Sequence, residues 1–343
     1  MKCIKHIVWG ILMLGAFEAS AQEKLLNLGI ETRIDYLRES IDGVRDHESS
    51  GFKGQELSLD LDGEIGHGFS YAYRQRLNTN HDNESFFDAT DWLHLTYTTP
   101  NERWAFSAGK QVVGIGGYEY DLAPIDCYFY SEYCSNIACY QLGASITHKL
   151  KNGNDSFMAQ VTESPACLGE EMFAYNLMWM GEHDWFESIY SVNAMEYIPN
   201  EYIYYIALGN RFTMGPVVLE LDFMNRATDH QTFFFRNCSV MGTAKVEVCP
   251  YVQLQAKVSY DVNRTDNIAD FCVAPGTELT RVGGAVEFFP IKGKRNVRLH
   301  AAYCYTMGSS DTELTVLQDK HSRLDIGLTW RMNLLSFAHP KAK

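Results

Sequence analysis

The chain has 343 residues, 29 of them basic and 43 acidic, for a net charge of −14. That balance argues against nucleic acid as a partner and favours a field that gathers cations, or Ca²⁺ held at acidic loops. Beyond the first 21 residues no apolar run is long enough for a membrane helix. A barrel stays open as a possibility, because its lipid-facing and lumen-facing residues alternate and cancel in any window average.

Lys2 and Lys5 precede an apolar stretch over 7–17, and Ala19-Ser20-Ala21 forms a small-x-small cleavage site. This predicts a signal peptide over 1–21, with Gln22 as the first mature residue. Removing Lys2, Lys5 and Glu18 leaves 27 basic and 42 acidic residues, a net −15.

Period-2 alternation then runs through residues 22–343, which read as a single domain. In chain order it predicts about sixteen strands, near 25–37, 54–65, 69–77, 90–99, 103–111, 139–150, 155–163, 172–181, 185–197, 201–213, 217–226, 239–249, 251–262, 280–289, 297–307 and 322–335. The last is the cleanest: Leu324, Ile326, Leu328, Trp330, Met332 and Leu334 make one face, and Arg323, Asp325, Gly327, Thr329, Arg331 and Asn333 the other. Gly66-His67-Gly68, Pro100-Asn101-Glu102, Lys151-Asn152-Gly153-Asn154, Gly215-Pro216 and Lys292-Gly293-Lys294 supply tight turns after even-numbered strands. The odd-numbered connections are mostly longer, most clearly 111–138, 263–279 and 308–321. Short turns at one end, long loops at the other, and strands of eight to twelve residues predict an all-β, antiparallel transmembrane barrel rather than a secreted sandwich. An even strand count puts both termini on the short-turn, periplasmic side. Trp330, Tyr303, Tyr305, Phe212 and Tyr97 are candidates for aromatic girdles.

A basic side chain facing lipid at mid-depth costs about 2–4 kcal/mol, so the charged face must line the lumen. Pore-lining candidates are Arg33, Arg74, Arg76, Lys110, Arg211, Lys257, Arg298, Asp60 and Asp222. Arg74 and Arg76, two apart on one face, make a basic pair. A barrel of about sixteen strands is too wide for side chains to fill, so water remains and small hydrophilic solutes or ions can diffuse through. The loop 111–138 opens with Gly114-Ile115-Gly116-Gly117, is rich in Tyr, and has acidic residues but no Lys or Arg. Its constriction candidates are Tyr118, Glu119, Tyr120, Asp121 and Asp126. Folded inward, these would narrow the pore, and Tyr with carboxylates can stack on and hydrogen-bond sugar rings. Folded outward, the loop would pack on its own aromatics. Its glycines do not have the spacing of a phosphate cradle.

Of the eight cysteines after residue 21, none forms a CxxC pair, so no metal and no cofactor is expected. Cys127, Cys134 and Cys139 share the long loop, where a disulfide staple is possible.

The sixteen strands, Gly109-Lys110-Gln111 at the end of the fifth, and the long loop after it resemble a Gram-negative outer-membrane porin, and more narrowly the phosphate-selective porin family. That resemblance implies a homotrimer in outer-membrane lipid, a third long loop that constricts the pore, and a phosphate path using arginines and loop lysines. Lys110 stands at the motif position. Two other functions compete with a passive channel. A lipid-modifying enzyme would need a nucleophile and a base, for which His94 and His300 are the bases to test. A binding or adhesion barrel would work through its outer loops.

Overall fold

A computed structural model describes residues 24–79, 85–166, 171–229, 235–265, 268–310 and 320–338. The expected signal segment 1–21 lies outside the described residues, as does most of the loop expected over 308–321. The described residues form sixteen antiparallel strands: β1 Lys24–Ile41, β2 Val44–Gly66, β3 Phe69–Arg76, β4 Thr90–Thr98, β5 Trp104–Val112, β6 Tyr140–Lys149, β7 Asp155–Glu163, β8 Phe173–His183, β9 Phe186–Ile198, β10 Glu201–Met214, β11 Val217–Thr228, β12 Asn237–Cys249, β13 Val252–Asn263, β14 Thr277–Phe288, β15 Val297–Ser310 and β16 Lys320–Ala338. Each pairs with its neighbours in sequence, and β1 pairs with β16 from Lys24↔Ala338 to Ile41↔His321, which closes the barrel and leaves no open edge. Between β5 and β6 lie two short helices, α1 Tyr118–Asp121 and α2 Glu132–Asn136, with a 3₁₀ turn at Pro124–Asp126.

The alternation works as expected. Leu95, Phe106, Leu177, Val192, Leu254, Val286, Leu299 and Ile326 are exposed on the outside, while Arg33, Arg74, Asp222, Lys257 and Arg298 are buried inside. Aromatic rings cluster near the strand ends. Tyr97 lies between Phe69 and Phe106, and Phe212 between Trp185 and Phe186, at the short-turn end; Tyr175, Tyr202 and Tyr204 sit at the other. Such rings suit the depth of lipid headgroups.

One expectation needs correction. Strands expected to stop at 37 and restart at 54 instead run on to Ile41 and from Val44. The turn between them is only Asp42-Gly43, with φ of 50° and 80°. Those left-handed values define a two-residue hairpin turn, for which Asp-Gly is a favoured pair. The β9–β10 connection is likewise two residues, Pro199-Asn200. The long-loop end therefore carries two tight hairpins among its loops.

The 113–139 segment folds inward and packs on the inner wall. Its side chains contribute Val113, Ile115, Tyr133 and Ile137 to the main apolar cluster, together with Tyr205, Met224 and Val273.

Candidate functional site

The inward segment touches two different walls. Its first leg runs over β7–β9. Gln160 accepts from the Gly114 amide at 2.6 Å and donates to the Val112 carbonyl at 2.8 Å. Asn193 donates to the Gly114 carbonyl at 2.7 Å, and Ser191 Oγ accepts from Gly116 N–H at 2.8 Å. Asn193 and Asn176, then Asn176 and Gln160, continue the chain of side-chain bonds at 2.7 and 3.0 Å. This wall is an amide and hydroxyl ladder, and it fixes the loop through backbone groups.

The glycines follow from that closeness. A Cβ on Gly116 would lie 2.6 Å from the Ile189 carbonyl oxygen. A Cβ on Gly209 in β10 would lie 2.7 Å from Gly117 Cα. Backbone meets backbone here, and only glycine leaves room.

The second leg meets charge. Asp222 of β11 accepts from the Tyr118 and Glu119 amides, both at 2.8 Å, which satisfies the free N–H groups at the start of α1. The Arg211 guanidinium lies 3.9 Å from the Tyr118 ring centroid and pairs with Glu187 and Glu220. Glu119 crosses to Lys257 of β13 at 2.6 Å, and Lys257 also donates to the Phe129 carbonyl. Asp126 binds Arg298 of β15 at 2.7 Å and Arg331 of β16 at 2.8 Å. Burial alone would raise the Asp126 carboxyl, but those two guanidinium groups outweigh it and hold it at about 2. Arg33 of β1 donates to the Cys127 carbonyl, and Tyr128 O–H to Glu287. Asp261 caps α2 by accepting from the Glu132 and Tyr133 amides at 2.9 and 3.3 Å, while Glu132 pairs with Arg281.

The expected residues thus fall as follows. Arg33, Arg74, Asp60, Arg211, Asp222, Lys257 and Arg298 all face inward, and Tyr118, Glu119, Tyr120, Asp121 and Asp126 lie on the inward segment. Arg74 binds Glu31 at 3.0 Å, Asp60 at 3.4 Å and Asp91 at 3.2 Å. Arg76 shares Asp91 at 2.7 Å and is about one-third exposed. The Arg74–Arg76 pair is therefore bridged by a carboxylate.

Lys110 is the correction. It shares the outer face of β5 with Phe106 and Ala108, opposite Leu93 and Leu142. Its Nζ donates to the Phe87 and Asp88 carbonyls at 3.0 and 3.1 Å. A lysine near the lipid boundary reaches up to polar groups in this way, and it does not line the lumen. The loop cysteines form no staple: Cys127, Cys134 and Cys139 are free thiols, and burial raises all three, Cys139 to about 12.

The amide ladder was not anticipated. Its signal in the sequence is uncharged polar residues at alternate positions of successive strands, Gln111, Gln160, Asn176 and Asn193. Strand register was needed to bring them into one row.

Between the loop and the β3–β9 wall lies a cavity of ≈210 Å³, lined by Arg74, Trp92, Gln111, Glu119, Asp121 and Tyr140 among others.

A closed sixteen-stranded barrel with an apolar outside, a charged inside and a loop held across the lumen is the architecture of outer-membrane porins. The family model "Phosphate-selective porin O and P" matches residues 26–177, and the chain resembles that family. No curated protein matches the sequence. Among solved structures, the barrel is similar to an anion-selective porin from Comamonas acidovorans, with a TM-score of 0.60, 10% identity and coverage of 91% of this chain and 100% of that one. The outer-membrane channel DcaP of Acinetobacter baumannii gives a TM-score of 0.62 at 11% identity, covering 93% and 100%. The trimer form of OmpT from Vibrio cholerae, folded in vitro, gives 0.59 at 12% identity, covering 90% and 100%.

Proposed function

We propose that this chain is a passive channel through which small hydrophilic solutes or ions diffuse across the outer membrane. The observation that carries the reading is the 113–139 segment, bonded to both walls inside a barrel whose outer face is apolar. A wall of paired charges stays wetted, and a loop across it sets the width of the path. The expected result in planar bilayers is stepwise, ohmic conductance. A refolded chain that gives no steps would refute the reading. The Vibrio neighbour described as a trimer supports a homotrimer here, to be read as a heat-resistant band on unboiled gels.

Selectivity for phosphate or other anions is a second reading, favoured by the family match and by Arg33, Arg298 and Arg331 along the seam of the barrel. Reversal potential in a salt gradient, with and without phosphate, decides it. We read the protein as no enzyme. The bases that a hydrolase would need at the lipid edge are poorly placed, because His300 is bound to Asp35 at 2.9 Å inside the barrel and His94 lines the inner cavity beside the loop. Loss of a measured lipase activity on His300→Gln substitution would reverse that reading.

A further inference from the structure

The ≈210 Å³ cavity between the loop and the β3–β9 wall holds a set of groups that the fold leaves unused. Trp92, Gln111 and Glu119 are each more than nine-tenths buried. Yet Trp92 Nε1, Gln111 Nε2 and Glu119 Oε2 have no hydrogen-bond partner among the described residues. Buried polar atoms are ordinarily satisfied, so each such group points to something absent. Asp121 also lines the cavity and has no cation within ion-pair distance among the described residues. Burial raises its carboxyl well above the ordinary range, against the pull of Arg211. Aromatic rings complete the lining: Trp92 and Tyr140 lie 5.9 Å apart at 58° on the strand side, and Tyr120 and Tyr130 line it from the loop.

Charge and donor type narrow the occupant. An anion would approach Arg74, but that guanidinium already faces Glu31, Asp60 and Asp91. A cation would suit Asp121 and Glu119, but would leave the Trp92 and Gln111 N–H groups pointing at positive charge. A hydroxyl both donates and accepts, so it answers both sets. The apolar C–H face of a sugar ring can lie on an aromatic side chain while its edge hydrogen-bonds. The space holds about seven waters at ~30 Å³ each, the scale of one ring.

We propose that this cavity is a subsite for a small neutral polyhydroxylated solute of about one sugar ring. The proposal rests on the channel reading above and names the class of solute that the channel holds in passage. Trp92 and Gln111 donate to the solute's hydroxyls, Glu119 and Asp121 accept from them, and Tyr140 covers its face.

The test is ion-current recording from the refolded barrel in planar bilayers, with glucose as the probe and inorganic phosphate and lysine as comparisons. Glucose should reduce or flicker the open current in a saturable manner, at lower concentration than either comparison. Trp92→Phe keeps the ring and removes the donor. It should raise the half-blocking concentration of glucose, relative to its own open current, by about five- to tenfold, the worth of one hydrogen bond. Asp121→Ala, on the loop and outside any ion pair, should raise it by a smaller factor and serves if Trp92→Phe does not refold. Conductance steps that glucose leaves unchanged overturn the subsite alone, whereas absence of any conductance overturns the channel reading and the subsite with it. Stronger block by phosphate or by lysine than by glucose overturns it in favour of an ionic site.

Discussion

The two walls that grip the inward loop differ in kind. On β5–β9 the contacts are amides and hydroxyls bonded to loop backbone, with Gly114 and Gly116 laid flat against them. On β13–β16 they include ion pairs, Glu119–Lys257, Glu132–Arg281 and Asp126 with Arg298 and Arg331, flanked by charged groups on β11 and β1 that bond the loop backbone, Asp222 and Arg33. The first wall fixes where the chain runs and is indifferent to pH and salt. The second fixes it by charge and responds to both. One loop is thus anchored by shape at one end of its path and by electrostatics at the other.

The largest break in that comparison should come from shape. In Gly116→Val the new side chain would begin 2.6 Å from the Ile189 carbonyl oxygen and 3.1 Å from the Ser191 nitrogen. The first leg must lift away, and single-channel conductance should change by about twofold or more, independently of salt, as expected when backbone contact gives no room to relax. Conductance equal to wild type would show that the leg is not held there.

Asp126→Asn comes next. It leaves Arg298 and Arg331 facing each other without the carboxylate between them. Removing one member of a largely buried pair costs on the order of 3 kcal/mol, read as a lower midpoint in urea unfolding of the detergent-refolded barrel. The guanidinium groups, still paired with Glu287 and Glu31 but one carboxylate short, should also move the reversal potential toward anions. An unchanged midpoint would make the ionic wall ornamental.

Acid sharpens the contrast without mutation. The folded Asp126 carboxyl sits at about 2, below the ~3.9 of an unfolded aspartate. Its contribution is therefore fully present above about pH 4, shrinks below that, and is gone once the pH has fallen through about 2. Conductance and unfolding midpoint followed from pH 5 downward should show that loss in wild type and not in Asp126→Asn.

The smallest effect should be Tyr128→Phe, which removes one hydrogen bond to Glu287 while Gln253 and Arg298 still serve that carboxylate. A loss of about 1 kcal/mol in the same unfolding assay is expected. A much larger loss would mean that the ring's place beside His300, 4.7 Å between centroids, matters more than its hydroxyl.

The barrel was legible in the sequence because its cause is local. Lipid on one side and water on the other impose alternation residue by residue, so β16 could be read from Leu324 to Leu334 alone. The inward course of the loop was not legible. Its acidic residues suit water equally well until Lys257, Arg281, Arg298 and Arg331 are brought to them from more than a hundred residues away. Lys110 misled for a related reason: parity along β5 places it outward, yet a lone lysine at a strand end in a porin-like motif looks like a lumen charge. The Asp42-Gly43 turn is legible as a pair, but the polar residues beside it have the composition of a loop.

Two of the loop's ionic anchors, Arg298 and Arg331, lie on β15 and β16, and Arg33 of β1 donates to the loop backbone beside them. Arg331 reaches back both to Glu31 across the closure and to Asp126 on the loop. Strand β16 therefore supplies both the latch of the cylinder and a clasp for its inward loop. Arg331 thus serves the closure of the barrel and the seating of the loop at once, so a change at this one side chain is felt at both.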